Sequence, residues 1–272
     1  MRSVPESNVY ARSLVWRMFR EAADEDYLVA RWAAHAKLPF QFYWSAQQSL
    51  EKYLKGLLLM NGVNIKNYGH NLVNLLSDAR TVADDLIPYV LCPPSYFPRR
   101  ATLRWNEFEP TDSFIARFND LGDTGNRYRH YSLTFYGGDL HHYDEICFRL
   151  RRLVFPLEMK FSSSERSYRQ VLSEEPNYQP HSDFPFLNQK SGEELEECKK
   201  ALQWRNFSYF EDLAKKNKKI NSGIFSSNSQ IFLSSERGVE GKEAIKWLIE
   251  NARFTKSDLK QLQELLHKEV DS

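Results

Sequence analysis

The chain has 272 residues, of which 42% are hydrophobic and 27% are charged, and its formal net charge at pH 7 is +1. This length allows one large hydrophobic core or two small ones. The balanced charge excludes a protein that holds duplex nucleic acid through overall positive charge, so any basic site must be local. No signal-peptide or membrane-spanning pattern is present in the sequence, which predicts a cytoplasmic protein.

Apolar residues recur at helical spacing in the first part of the chain. This spacing predicts one helix over residues 22–36 and a second over 40–60, which Pro39 opens and Gly62 ends. Gly56 lies inside the second helix, where a glycine weakens helix formation. A glycine at this position predicts that another element packs closely against it.

Three more helices are predicted before residue 160. They cover residues 70–80, 112–121 and 139–157, and a loop over 91–110 and a glycine-punctuated connection over 122–138 separate them. The pattern predicts an all-α fold. It has too few strand signals for a sheet-based architecture.

The composition changes near residue 160, where serine and proline become frequent and a domain boundary is predicted. Residues 1–160 are predicted to form a helical bundle. Residues 161–272 are predicted to form a linker and a largely helical extension of unknown role. Within that extension the sequence predicts helices over 192–217, 241–251 and 257–268, and a short strand over 231–233.

The segment 46–58, with the sequence AQQSLEKYLKGLL, resembles the helix signature of the HEPN family, in which Gln, then Glu-Lys, then Leu-Lys precede a leucine run. Asp26 and Tyr27, followed by Ala30, lie upstream of it. The segment 69–72, with the sequence GHNL, lies downstream in the family's usual order. These matched pieces indicate a resemblance that covers about residues 20–155.

The resemblance implies an antiparallel up-and-down helical bundle that binds nucleotides or RNA. It also implies a homodimer in a prokaryotic toxin-antitoxin, defence or stress system, often with a small nucleotidyltransferase as partner. Ribonucleases of the family carry an arginine and, about four to six residues later, a histidine near the start of the last core helix. Arg127 and His130 are too close for that spacing.

A cluster of polar and aromatic residues precedes the fifth predicted helix. Its arginine and histidine side chains suit metal-independent RNA cleavage, because histidine moves protons and arginine stabilises the phosphorane charge. Its tyrosines suit stacking on unpaired bases. Packing of the same side chains beneath the fifth helix is an equally open interpretation. The catalytic candidates are Arg127 and His130, and the ligand-binding candidates are Asn126, Tyr128, Arg129, Tyr131, Lys52 and Lys55.

Lys52 and Lys55 lie three positions apart on the second helix and can present two ammonium groups to a phosphate. A salt bridge between Glu51 and Lys55 is the preferred interpretation, because the acid precedes the base by four positions. For His70, which precedes the third helix, we predict a helix cap or a local hydrogen bond.

Residues on both sides of the cluster were considered for an anion site and for a metal site. A small anion site is predicted if the bundle brings together the arginines on both sides of the cluster. The adjacent histidines His141 and His142 do not have metal-ligand spacing, and with Asp144 and Glu145 they predict a solvated helix start. The flanking arginines are Arg99, Arg100 and Arg104 before the cluster and Arg149, Arg151 and Arg152 after it.

The preferred hypothesis is therefore a HEPN-like protein that binds RNA or a nucleotide, with no cofactor or metal. One alternative is a metal-independent endoribonuclease that uses Arg127 and His130. A second alternative is a non-catalytic interaction module, in which the two C-terminal helices dock a nucleotidyltransferase or another partner.

Overall fold

The computed structural model describes residues 9–92, 108–123, 133–161, 165–175, 178, 224–227, 238–251 and 256–267. These residues are mostly helical, with two short two-stranded sheets, which confirms the prediction of a mainly helical chain. Within them, no helix has both the length and the apolar surface needed to cross a membrane. The helix predicted over 192–217 and the strand predicted over 231–233 lie outside the described residues.

The chain begins with a long helical run that reverses onto the longest helix. Helix α1 (Val9–Val15) continues through a π-helical segment (Trp16–Glu21) into α2 (Ala22–His35). The turn after α2 passes through Lys37, whose φ is 58°, and α3 (Pro39–Met60) then packs along α2. Four alanines of α2 are buried in this contact region and let the two helices approach closely, namely Ala23, Ala30, Ala33 and Ala34.

Two shorter helices complete the side of the bundle next to α3. Helix α4 (Leu72–Ala83) is capped by the side chain of Asn71, which accepts a hydrogen bond from the Asn74 amide at 3.0 Å. Helix α5 (Thr111–Leu121) packs against both α3 and α4. The ends of the predicted 91–110 loop pair as antiparallel strands β1 (Val90–Leu91) and β2 (Glu109–Pro110).

The fifth predicted helix is α6 (Gly137–Leu153), and strand β3 (Leu133–Tyr136) leads directly into it. Strand β3 pairs antiparallel with β4 (Ile224–Ser227), so that Leu133 lies opposite Ser227. The connection predicted over 122–138 therefore contains a strand and the first residues of a helix. The strand pairing joins the N-terminal bundle to a segment 90 or so positions later in the chain.

The packed core of the bundle extends past residue 160. Helix α7 (Tyr168–Glu174) begins with a reciprocal cap between Ser167 and Gln170, and Tyr168 and Leu172 are buried in the bundle core. Tyr178 packs against the same core.

The C-terminal helices that the sequence predicts are present as α8 (Gly238–Asn251) and α9 (Lys256–His267). They pack on each other through a small apolar cluster around Ile245 and Leu262. Its partly buried members are Ile249, Leu265 and Leu266.

Gly56 of α3 packs closely against other elements, as the sequence predicts. A Cβ atom at this position would lie 2.8 Å from Cγ1 of Val154 and 3.0 Å from Cβ of Phe19. Both distances are shorter than ordinary van der Waals contact between carbon atoms. Glycine is therefore required by the packing of α3 against the π-helical segment and the residues that follow α6.

Candidate functional site

The cluster favoured by the sequence lies between α5 and β3, outside the described residues. The chain is described up to Asp123 on one side and from Leu133 on the other. The cluster's assignment therefore stays a prediction. Its members are Asn126, Arg127, Tyr128, Arg129, His130 and Tyr131.

The two candidate lysines of α3 are both paired with carboxylates. Lys52 forms an ion pair with Asp26 of α2, and Lys55 forms one with Glu51 at 2.7 Å. The second contact confirms the preferred prediction of a Glu51–Lys55 salt bridge. Each lysine charge is therefore already compensated in part by a carboxylate, which weakens its attraction for a phosphate.

His70 joins this salt bridge from the loop before α4. Its Nδ1 atom lies 3.0 Å from both carboxylate oxygens of Glu51, which is 19 positions earlier. The prediction of a cap or a local hydrogen bond was wrong, because Asn71 caps α4 and His70 reaches back to α3. The His70 side chain is 78% exposed, so this contact lies at the surface of the bundle.

A surface cavity of about 390 Å³ is lined by residues that flank His70 in the sequence. The hydrogen bond from the Tyr68 hydroxyl to Asp78 raises the pKa of Tyr68. The polar side chains that line the cavity carry amide, hydroxyl and carboxylate groups, which suit a neutral polar ligand better than a phosphate. These side chains are Asn67, Tyr68, Asn71, Asn74, Ser77 and Asp78.

A buried ion pair joins α2 to α6. Asp144 accepts a hydrogen bond from the Tyr27 hydroxyl at 2.7 Å and pairs through its other oxygen with Arg31. All three side chains are buried. Burial, reinforced by the charge of Asp144, raises the pKa of Tyr27 well above its usual value, so the hydroxyl remains a donor.

A second buried ion pair joins α2, α3 and α6. Arg151 donates to Asp24 through Nε at 2.8 Å and through Nη2 at 2.9 Å. The Tyr53 hydroxyl donates to the same carboxylate at 2.6 Å. A two-pronged contact of this kind fixes the geometry of both partners and therefore the rotation of α6 against the bundle.

The first turns of α6 take part in a third charged network with α5 and β2. Arg117 lies 2.8 Å from Glu109 and 2.9 Å from Asp139, and the Tyr43 hydroxyl donates to Asp139 at 2.5 Å. Burial alone would raise the pKa of Glu109, but hydrogen bonds from His142 and Arg117 outweigh it, and the pKa is lowered. At Asp139 burial outweighs the same kind of contacts, and the pKa is raised.

The prediction of a solvated start for α6 was wrong. Asp144 is fully buried, and His141, His142 and Glu145 are each less than 10% exposed. The helix is buried because its polar residues meet partners on several other elements, so that their charges are compensated within the bundle. His142, for example, lies 3.2 Å from Glu109.

The arginines of α6 contribute to these networks rather than to an open basic surface. Arg149 pairs with Glu145 at 2.9 Å, and Arg151 pairs with Asp24. Arg152 is buried, donates to the Tyr178 carbonyl at 3.3 Å and lies over the ring of Phe148. The other predicted members of the anion site, Arg99, Arg100 and Arg104, lie outside the described residues.

His35 at the end of α2 is expected to make stability depend on pH. Burial, together with the positive charge of Arg31, lowers the pKa of His35 to about 4. An unfolded histidine titrates near pH 6.5, so protonation below that pH favours the unfolded state. When the pH is lowered from 7 to 4.5, the free energy of unfolding of the wild type should fall by roughly 2 kcal/mol more than that of His35→Gln. Urea unfolding at the two pH values measures both changes. A proton NMR titration that places His35 near 6.5 would contradict this prediction.

Comparisons of the chain with protein-family models, with curated proteins and with solved structures give no match.

Proposed function

We propose that this protein is a HEPN-like RNA- or nucleotide-binding protein whose binding segment is the cluster between α5 and β3. The observation that supports the proposal is the anchoring of the elements next to the cluster. Strand β3 follows it directly, and α6 is attached to α2 and α3 through the Asp144 and Asp24 ion pairs. Residues that bind ligands are frequently supported by rigid elements of this kind.

The ion pairs within the bundle also support the cluster as the binding segment. The lysines of α3 and two arginines of α6 engage carboxylates, so they add little to phosphate binding. The proposal therefore gives the phosphate contacts to Arg127 and Arg129 and the base-stacking contacts to Tyr128 and Tyr131. The proposal gives proton exchange with the ligand to His130.

The biological setting belongs to the proposal as well. A HEPN-like protein of this kind acts as a homodimer in a prokaryotic toxin-antitoxin, defence or stress system, with a nucleotidyltransferase as a possible partner class. This part rests on the resemblance over about residues 20–155.

The test is binding of fluorescently labelled single-stranded RNA in the presence of a chelator. We expect Arg127→Ala to weaken binding on the order of tenfold, because a charge-assisted hydrogen bond to a phosphate is lost. Arg166→Ala is the matched control, since Arg166 pairs with Glu174 in an exposed position, and it should bind like the wild type. Equal loss of binding in both variants would indicate a nonspecific charge effect and would count against the proposal.

The same samples decide between binding and catalysis. If the wild type cleaves the RNA and both Arg127→Ala and His130→Ala fail to do so while remaining folded, the endoribonuclease alternative is correct. If the wild type binds without cleavage, a binding function remains. If it neither binds nor cleaves RNA or a nucleotide, the proposal is wrong.

One observation favours the interaction module as a second candidate. Helices α8 and α9 share an apolar cluster of their own, and α8 exposes Val239 at 74% and Trp247 at 63%. Large exposed apolar side chains on a helix are frequent in protein interfaces. Copurification of a protein without nucleic acid, and its loss in Trp247→Ala, would favour this candidate.

A further inference from the structure

The outer face of α2 carries large apolar side chains at the surface of the bundle. Trp32 is 62% exposed, Val29 is 43% exposed, and Leu38, just after the helix, is 43% exposed. Glu25, Val29, Trp32 and Ala36 are all exposed and follow each other at intervals of four, three and four positions. This spacing places them on one side of the helix. Neighbouring exposed apolar side chains of this kind mark an interaction surface.

The two faces of α2 differ in what they contact. The inner face packs on α3 and α6, and its alanines are buried. The alternating intervals of three and four positions on the outer face are those of the apolar seam along which one helix packs lengthwise on another. The outer face of α2 therefore has the spacing that suits a helix as its partner.

The homodimer of the proposed function needs a surface on each copy, and α6 does not supply one. Every residue of α6 from 138 to 153 is buried or only partly exposed. The helix lies inside the bundle because α2, α3, β1 and β3 all contact it. A second copy has to bind elsewhere, and α2 lies at the outside of the bundle.

The charges along the outer face of α2 favour a second copy in antiparallel orientation. Glu25 lies toward the start of the face, Lys37 lies directly after the helix, and both are exposed. Two copies of α2 can pack antiparallel about a two-fold axis midway between Val29 and Trp32. Val29 then lies opposite Trp32 of the second copy, and Glu25 lies near Lys37 of the second copy. A two-fold interface repeats each contact, so this opposite-charge contact occurs twice.

We propose that two copies of this chain pair through the outer face of α2, in antiparallel orientation and centred on Val29 and Trp32. The proposal rests on the homodimer of the proposed function and names its interface. Trp32 supplies the central anchor, since a tryptophan near the centre of an interface contributes a large part of the binding energy. Glu25 and Lys37 fix the orientation, because a parallel arrangement places each of them beside its own copy and sets like charges together.

Sedimentation of the full chain at several concentrations tests the apolar centre of this interface. We expect the wild type to sediment as a dimer, and Val29→Glu should weaken self-association at least about tenfold, because it buries a charge without a partner. Val73→Glu is the matched control, since Val73 of α4 is likewise 43% exposed, and this variant should remain dimeric.

Charge reversal tests the orientation. Glu25→Lys alone and Lys37→Glu alone should each form a weaker dimer than the wild type, because each change sets like charges against each other twice. An equimolar mixture of the two variants should form a heterodimer more strongly than either variant pairs with itself, since opposite charges then meet at both contacts. A folding defect in either variant does not produce this recovery.

A wild type that stays monomeric overturns the proposal. A dimer that Val29→Glu and both charge reversals leave unchanged also overturns it, and in that case the homodimer of the proposed function stands with a different interface. Equal loss of the dimer in Val29→Glu and Val73→Glu likewise counts against α2 as the interface. RNA binding, compared between the wild type and Arg127→Ala, tests the binding function separately from all these outcomes.

Discussion

Asp144→Ala is expected to lower the free energy of unfolding by about 3–5 kcal/mol, because it leaves the buried charge of Arg31 without its carboxylate. The same change deprives the Tyr27 hydroxyl of its acceptor at 2.7 Å. Arg31 is 4% exposed and Tyr27 is 2% exposed, so water does not readily replace the lost oxygen atoms. Urea unfolding followed by circular dichroism at pH 7 measures the effect.

Two companion variants separate the buried pair from ordinary surface charge. Glu174→Ala breaks the exposed pair with Arg166, and its effect should stay within about 0.5 kcal/mol. The double variant Asp144→Leu with Arg31→Met removes both charges together and should recover most of the lost stability, because an uncompensated buried charge no longer remains. A single Asp144→Ala variant as stable as Glu174→Ala would show that the pair contributes nothing.

The helices were predictable from the sequence because their signals are local. The apolar stripe of α3 repeats at helical spacing, and Pro39 and Gly62 mark its two ends. The close packing at Gly56 was predictable for a similar reason, since a glycine inside a helix indicates that a larger side chain does not fit. The start of the first helix was less predictable, because α1 and the π-helical segment continue α2 toward the N-terminus.

The buried charges were not predictable from local pattern. Asp24 and Arg151 are 127 positions apart, and Arg31 and Asp144 are 113 positions apart. Helical spacing assigns each of them to a helix but does not reveal its partner on another helix. One signal was available, because Asp24 and Arg31 lie seven positions apart on the same face of α2 as its buried alanines. Charged residues on an apolar stripe indicate buried partners.

The contacts of the candidate site also include some that local spacing predicts and some that it does not. The Glu51–Lys55 pair follows from spacing within one helix, and the structure contains it. The contact between His70 and Glu51 depends on the path by which the loop before α4 returns to α3. That path cannot be predicted from local sequence pattern. The assignment of residues 126–131 as a binding segment is based on the chemistry of their side chains and on the family resemblance. Measuring RNA binding by variants of these residues tests that assignment.

The second large effect is expected at Gly122, which ends α5 against the side of α3. A Cβ atom at this position would lie 2.5 Å from Cβ of Gln47, 2.7 Å from the Tyr43 carbonyl oxygen and 3.0 Å from the Phe118 carbonyl oxygen. Two of these atoms belong to helix backbone and the third is attached directly to it, so a rotamer change does not relieve the overlap. Gly122→Ala should therefore lower the free energy of unfolding by about 3 kcal/mol.

Gly69→Ala is the matched control, because a Cβ atom there would have nothing within 4 Å. Its free energy of unfolding should stay within about 0.5 kcal/mol of the wild type or rise slightly, since alanine restricts the unfolded chain. The two variants differ only in the space that surrounds the added methyl group. If Gly122→Ala is as stable as Gly69→Ala in urea unfolding, α5 does not pack against α3 as closely as described. If it is destabilised as expected, the closeness of α3 and α5 is what excludes every side chain larger than hydrogen at this helix end.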